Sequence, residues 1–227
     1  DETAILRCVD TRLEVVSVIK LLIGDDSAPD WTKRRENFID AFRKQARLNH
    51  PNIIHVVNIE LRGERTFAVM EAVEGFTLER YLTDATLTPK EVTELSLSVI
   101  DAISMAHSSD IVHKGISPRN IMLYQQDNRL SPRILNFGTH RDVSRLDPVS
   151  QLPYLAPEQF DNYDNANPAS DVYALCATMF FAFTRRPPYL CDNFEQYVEL
   201  FSQKARQLDF PEGFPAEFSE LIKAGLN

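Results

Sequence analysis

Apolar residues fall along this chain in two rhythms, and the change comes near residue 70. Before it, short β-branched and apolar runs dominate. Ala4 to Val9 and Val15 to Ile23, with Asp10-Thr11-Arg12 between them, predict a hairpin. Ile53 to Glu60 and Arg65 to Met70 predict a second hairpin around Gly63. Between the hairpins, Phe38, Ile39, Phe42 and Ala46 recur at helical spacing and predict a helix over Asn37 to Leu48. Past residue 75 the helical period takes over. Pro89 to His107 reads as a long amphipathic helix, with Thr88 suited to the N-cap and Pro89 to the first helical position. Asp171 to Phe183 is apolar on nearly all sides and predicts a buried helix. Phe194 to Gln207 and Glu217 to Ala224 predict two more.

Ile111 to Tyr124 follows neither rhythm. It reads I-V-H-K-G-I-S-P-R-N-I-M-L-Y, an apolar entry, a polar centre and an apolar exit, as in a loop pinned between buried elements. Pro118 excludes a helix there, and Gly115 stands where a side chain might have been.

Composition narrows the function classes. The 227 residues are 44% hydrophobic and 25% charged, enough for a substantial core in one large domain or two small lobes. A net charge of −9 argues against a nucleic-acid or acidic-membrane surface, so Lys33-Arg34-Arg35 reads as the solvated start of a helix. Cys8, Cys176 and Cys191 are odd in number and form no C-x-x-C pair, which points to a reducing compartment without structural zinc. The expected location is cytoplasmic, with a tether outside this sequence left open. No apolar run reaches the ~18 residues of a membrane span. The opening D-E-T-A-I-L-R reads as neither a signal peptide nor a native N-terminus.

His113, Pro118 and Asn120 stand in a stretch that resembles the catalytic loop of eukaryotic-type Ser/Thr protein kinases, H-R-D-x-K-P-x-x-N. Other pieces resemble the same family in the same order. They are D-T-R-L before V-I-K, the helix F-I-D-A-F-R-K-Q-A-R-L-N-H with H-P-N-I, the hinge M-E-A-V-E-G with a short helix after it, N-F-G at Asn136 to Gly138, A-P-E at Ala156 to Glu158, and T-R-R-P-P-Y. D-T-R-L and Y-L-A-P-E-Q are in the style of bacterial members. The resemblance implies an α+β, bilobal protein-kinase-like fold, truncated at both ends. A small β-rich lobe with one helix, and the hinge, would cover 1–74, and a larger, mainly helical lobe 75–227.

The same resemblance assigns the candidate site. Lys20 falls at the phosphate-anchoring lysine, Asn120 at a metal-side asparagine, and Asn136 where the metal-binding aspartate stands. The family's catalytic aspartate falls at Gly115, its loop arginine at Lys114 and its loop lysine at Ser117. The helix glutamate that pairs with the lysine falls at Ala41, with Glu36 or Gln45 as slipped-register alternatives. The degenerate nucleotide pocket would be formed by Val18, in place of the roof alanine, with Ile5, Met122, Met70 at the gatekeeper position, and Ala72.

Glycine carries no group that accepts a proton, and a positioned base usually contributes ~10²–10⁴-fold. A neutral amide at 136 gives a divalent cation less than a carboxylate would. The expectation is therefore a pseudokinase, not an enzyme, acting as a protein-binding scaffold or regulatory module. It would hold no cofactor and no magnesium, ATP binding being the weaker alternative. Partners would be proteins of unknown identity, with no nucleic acid and no direct membrane contact. The cleft between Val18 and Met122 is expected to be collapsed or filled by side chains. Gln45 is expected to leave its helix poorly docked on Phe137. His113 and Asp171 are read as structural, with Asp171 accepting backbone N–H groups of the 113–115 loop. Two alternatives stay open: an unorthodox phospho- or nucleotidyl-transferase using Lys20, Asn120 and Asn136, and an ATP or small-molecule sensor.

Overall fold

The computed structural model describes residues 3–25, 27–63, 65–139, 143, 146–202, 207–212 and 214–226. Its first part is a four-stranded antiparallel sheet. Strands β1 (Thr3–Asp10) and β2 (Val15–Leu22) pair from Thr3 opposite Leu22 to Asp10 opposite Val15. Asp10 makes the turn, its Oδ1 accepting the N–H groups of Arg12 at 2.8 Å and Leu13 at 3.0 Å. Strands β3 (Val56–Arg62) and β4 (Arg65–Glu71) form the second hairpin, with Gly63 at φ +59° in its turn, and β4 docks on β2 to give the order β1-β2-β4-β3.

Helix α1 (Trp31–Ala46) begins six residues before the predicted start. The run Lys33-Arg34-Arg35 is not simply solvated. The Arg34 guanidinium donates to the Ile23 carbonyl at 3.0 Å and lies 5.6 Å over the Trp31 ring, while Arg35 Nε donates to the buried Thr66 hydroxyl at 2.9 Å. These contacts dock a polar first turn that hydrophobic periodicity cannot reveal. Phe38 and Phe42 then pack with Leu22, Ile54, Val56, Ala68 and Met70 into the small lobe's core.

Gln45 corrects the expectation of a badly seated helix. It is 1% exposed; its Oε1 accepts the Phe137 N–H at 3.2 Å and its Nε2 donates to the Ile54 carbonyl at 2.8 Å. An amide both donates and accepts, so one side chain satisfies two buried backbone groups on different segments.

The chain then makes β5 (Gly75–Thr77), the short helix α2 (Leu78–Asp84) and the long helix α3 (Pro89–His107). Thr88 is the N-cap of α3 and Pro89 opens it, as predicted, and Glu91 completes a capping box with Thr88. A second sheet follows, unforeseen from the sequence: β6 (Ile121–Gln126) and β7 (Arg129–Ile134) pair antiparallel, with β5 on the other side of β6. Asp127 and Asn128, at φ +49° and +60°, make the two-residue turn that such a hairpin needs. Ile54 N donates to the Ile134 carbonyl at 3.0 Å and Ile134 N to the Asn52 carbonyl at 2.8 Å, so this hairpin ties the helical lobe to the small one.

Helices α4 (Pro168–Thr184), α5 (Phe194–Ser202) and α6 (Ala216–Gly225) complete the large lobe. α4 is capped by Asn167 and buried around nearly its whole circumference, as predicted. The tail of the predicted Phe194–Gln207 helix falls on 203–206, outside the described residues, and Gln207 itself is not helical. The whole is the mixed, bilobal arrangement expected.

Replacing Gln45 by Leu keeps the volume but leaves Phe137 N and Ile54 O buried without partners. At ~1–3 kcal/mol for each orphaned group, a loss of about 2 kcal/mol or more is expected in urea unfolding. A loss below about 0.5 kcal/mol would mean that Phe38 and Phe42 seat α1 without it.

Candidate active site

The loop after α3 is fixed from below by one carboxylate. Asp171, on the first turn of α4 and 1% exposed, accepts the His113 N–H on Oδ2 at 2.8 Å and the Lys114 N–H on Oδ1 at 2.9 Å. His107 Nε2 lies 2.8 Å from the same Oδ2. His113 is fully buried, 4.6 Å from the Phe137 ring, and its Nδ1 accepts the Gly115 N–H at 3.2 Å. Nε2, 2.8 Å from the Leu135 carbonyl, therefore carries the proton. The ring joins two loops, the structural role read from the sequence.

Above this frame the candidate residues meet in a chain of hydrogen bonds. Lys20 Nζ donates to Asn136 Oδ1 at 2.8 Å, Asn136 Nδ2 to Asn120 Oδ1 at 2.8 Å, and Asn120 Nδ2 to the Gly115 carbonyl at 2.6 Å. Asn136 holds the left-handed φ of +65°, followed closely by Gly138 at +63°. β2, the loop entering β6 and the turn after β7 thus converge on one point. Ala41 and Ser117 line the same cleft. Lys114 does not; its Nζ is 2.7 Å from Asp164 Oδ1.

The cleft encloses about 1000 Å³ and runs from Thr3, Lys20 and Phe42 past Gly115 and Asn120 to Tyr154, Phe160 and Tyr163. This cleft is not the one expected to be closed between Val18 and Met122. Ile5, Val18, Met70, Ala72 and Met122 are absent from these walls. Ile5, on the edge strand, is 61% exposed, while Val18 sits opposite Met70 in the β2–β4 register and packs against the small-lobe core. Met122 is half-buried on β6, and Ala72 follows β4 in the connection to β5.

Among the described residues the cleft presents the cations Lys20, Lys33, Arg34 and Arg119 against the carboxylates Asp30 and Asp161. Arg119 is shared with Glu79, its Nε 2.9 Å from both carboxylate oxygens. Burial, reinforced by Glu79 and Tyr197, pushes the Tyr154 phenol up and keeps it a neutral hydroxyl in the wall. At the outer edge, the Ser150 hydroxyl and N–H hold the Asp147 carboxyl below its ordinary range. Tyr163 and Asp161 carry no motif and were not reached by sequence reasoning.

This fold and loop arrangement is that of a protein kinase, and comparison with known proteins agrees. Residues 3–227 match the protein kinase domain family, and the chain belongs to it. The chain is similar to the serine/threonine-protein kinase PrkC of Bacillus subtilis, 33% identical over 163 residues, which is 67% of this chain and 24% of that protein. It is 31% identical to the serine/threonine-protein kinase PkaA of Streptomyces coelicolor over 150 residues, 63% of this chain and 27% of that protein. The serine/threonine-protein kinase PknL of Mycobacterium tuberculosis is 28% identical over 233 residues, 97% of this chain and 56% of its own length. The matches thus span between about a quarter and just over half of these relatives.

Two expectations are corrected by these findings. The reading of the chain as no enzyme is overturned, because its family and these relatives are protein kinases by name. The reading of no cofactor falls with it, since such kinases normally use ATP and magnesium. The residues present fit a nucleotide's phosphates: an ammonium in the wall of a large, mostly cationic cleft. Magnesium is commonly held largely by substrate phosphates and water, with one or two side chains added. Asn120 and Asn136 are the side chains that would add oxygens, each Oδ1 here accepting a hydrogen bond, from Asn136 Nδ2 and Lys20 Nζ respectively.

Asp171→Asn replaces one of two oxygens that each accept a backbone N–H by a donor. A loss of about 3 kcal/mol is expected from equilibrium unfolding. A loss under about 1 kcal/mol would show that the 113–115 loop is held by other contacts.

Proposed function

We propose that this chain is a regulatory, protein-binding member of the Ser/Thr protein kinase family that binds ATP on Lys20 and transfers its terminal phosphoryl group slowly. The observation that carries this reading is the neutral amide chain from Lys20 through Asn136 and Asn120 to the Gly115 carbonyl. It brings one ammonium and two amides together without a carboxylate among them, which supports a site for phosphate.

On this reading ATP supplies the phosphoryl group to be transferred. Lys20 neutralises its phosphates, and Asn120 and Asn136 orient the same region through neutral oxygens and N–H groups. The base of the nucleotide is assigned to the surface around Val18, Met70, Ala72 and Met122, with Ile5 at its outer edge. Ala41, Lys114, Gly115 and Ser117 mark what is reduced. They lack a carboxylate to steer Lys20, a base beside the acceptor, and a loop cation on the phosphoryl group. In a loose transition state the acceptor's proton leaves late, so losing the base slows transfer by ~10²–10⁴-fold without forbidding it.

We divide the domain into lobes at 1–74 and 75–227, with the cleft between them. Its partners are taken to be proteins, given the net charge of −9. Among the described residues no helix is long and apolar enough to cross a membrane. Three unpaired cysteines support a reducing, cytoplasmic setting.

Calorimetry with ATP and magnesium on the unaltered protein should show binding that Lys20→Ala weakens by about tenfold or more, the loss of one charge-assisted contact. Equal affinity in the two proteins would remove Lys20 from the site and end this reading.

A further inference from the structure

Position 115 has no side chain, yet the room for one is taken. A Cβ built on Gly115 would lie 2.6 Å from the Tyr163 hydroxyl and 3.9 Å from Asn120 Nδ2. An aspartate carries its carboxylate oxygens about 2.4 Å from its own Cβ by ordinary bond lengths. The phenol oxygen therefore stands off that point about as far as a side-chain oxygen of residue 115 would.

The tyrosine is delivered there rigidly. It is 3% exposed, in a cluster with Leu152, Leu155, Phe160 and Tyr197. Gln159 Nε2 donates to the Lys114 carbonyl at 2.9 Å and reaches the Tyr163 carbonyl at 3.4 Å, binding the tyrosine's segment to the loop. The Lys114–Asp164 ion pair makes the same connection one residue later. Tyr163 and Gly115 also line the cleft that holds Lys20 and Asn120.

We propose that the Tyr163 hydroxyl is the positioning group for the acceptor, supplying from another element the oxygen that Gly115 lacks. This rests on the Lys20 cleft being the ATP site. The phenol oxygen accepts a hydrogen bond from the serine or threonine hydroxyl of a protein acceptor and aims its oxygen at the terminal phosphorus. The new O–P bond forms as the bond from phosphorus to the nucleotide's bridging oxygen breaks, and the nucleoside diphosphate leaves. A phenol orients without taking the proton, which passes late to an oxygen of the transferred phosphoryl group. The same contact accounts for the glycine: any side chain at 115 would strike the hydroxyl that replaces it.

The test compares the unaltered chain with Tyr163→Phe, Gly115→Asp and the pair Gly115→Asp with Tyr163→Ala, against Tyr163→Ala alone. Calorimetry gives ATP affinity, and radiolabelled ATP with a generic protein acceptor gives transfer. Tyr163→Phe should leave ATP affinity nearly unchanged while lowering kcat about tenfold, the ordinary worth of one hydrogen bond. Gly115→Asp alone should lose stability and gain no transfer. The double variant should exceed Tyr163→Ala in transfer, because a carboxylate then fills the vacated place. Undiminished transfer by Tyr163→Phe, or a gain by Gly115→Asp with the tyrosine present, overturns the proposal. ATP binding without any transfer by the unaltered protein also overturns it while leaving the nucleotide site standing. Failure of Lys20-dependent binding instead identifies the nucleotide reading as the part that is wrong.

Discussion

The buried carboxylate of Asp171 is the constraint on which the site depends. It holds two consecutive backbone N–H groups of a loop that has no regular hydrogen bonding of its own, and it lies against His107 at the end of α3. A buried carboxylate is tolerated only when its oxygens are satisfied, and here the satisfaction comes from the segment that must be placed. Lys114 at φ +72° is part of the cost. The gain is that His113, seated by that loop, can bond to Leu135 and set the turn carrying Asn136. One side chain on a buried helix thereby fixes residues from two loops that lie more than twenty positions apart.

On this frame the polar centre joins one ammonium, Lys20, to two neutral amides, Asn136 and Asn120. By the sequence resemblance the Asn136 amide falls where an aspartate is expected, and the Lys20 ammonium has its Oδ1 as a partner. Each amide also donates, which a carboxylate cannot do. That is why Asn136 and Asn120 link to each other and to the Gly115 carbonyl without a cation between them. The arrangement is self-satisfied, whereas two carboxylates at the same places would repel until a cation joined them.

How much of this was legible depended on what kind of interaction carried it. Strands and long helices were written in periodicity, as in Val15 to Leu22 and the capped start of α3. The roles of His113 and Asp171 could be read because ordered motifs located them. Gln45 misled because hydrophobic pattern counts an amide as merely polar, while its value lies in bonding Phe137 and Ile54 at once. The start of α1 was hidden because arginines, not apolar residues, dock it on Ile23 and Thr66. The β6–β7 hairpin was missed although its Asp-Asn turn was present. Ile5 was assigned to the pocket from resemblance, and its 61% exposure on the edge strand, beside Leu6 at 50%, could not be read from the apolar run. Tyr163 had no signal at all: its closeness to Gly115 spans 48 residues and exists only in three dimensions.

Removing carboxylates has two opposed electrostatic effects on a nucleotide. It weakens the hold on a divalent cation, which wants anionic oxygens. It also spares the phosphates a neighbouring anion: Ala41, on the facing turn of α1, lines the cleft with no charge of its own, while Lys20 Nζ donates to Asn136 Oδ1. A charge-assisted bond to phosphate is roughly twice as strong as one between neutral groups, so a triphosphate competes well for an ammonium held by an amide oxygen. Had a glutamate stood at 41, the phosphate would share Lys20 with a fixed anion and rely on metal to offset the repulsion. On the proposed nucleotide reading, a neutral chain would trade metal affinity for direct phosphate affinity. Gln45 seats α1 independently of these charges, by bonding backbone groups of two separate segments at Phe137 and Ile54.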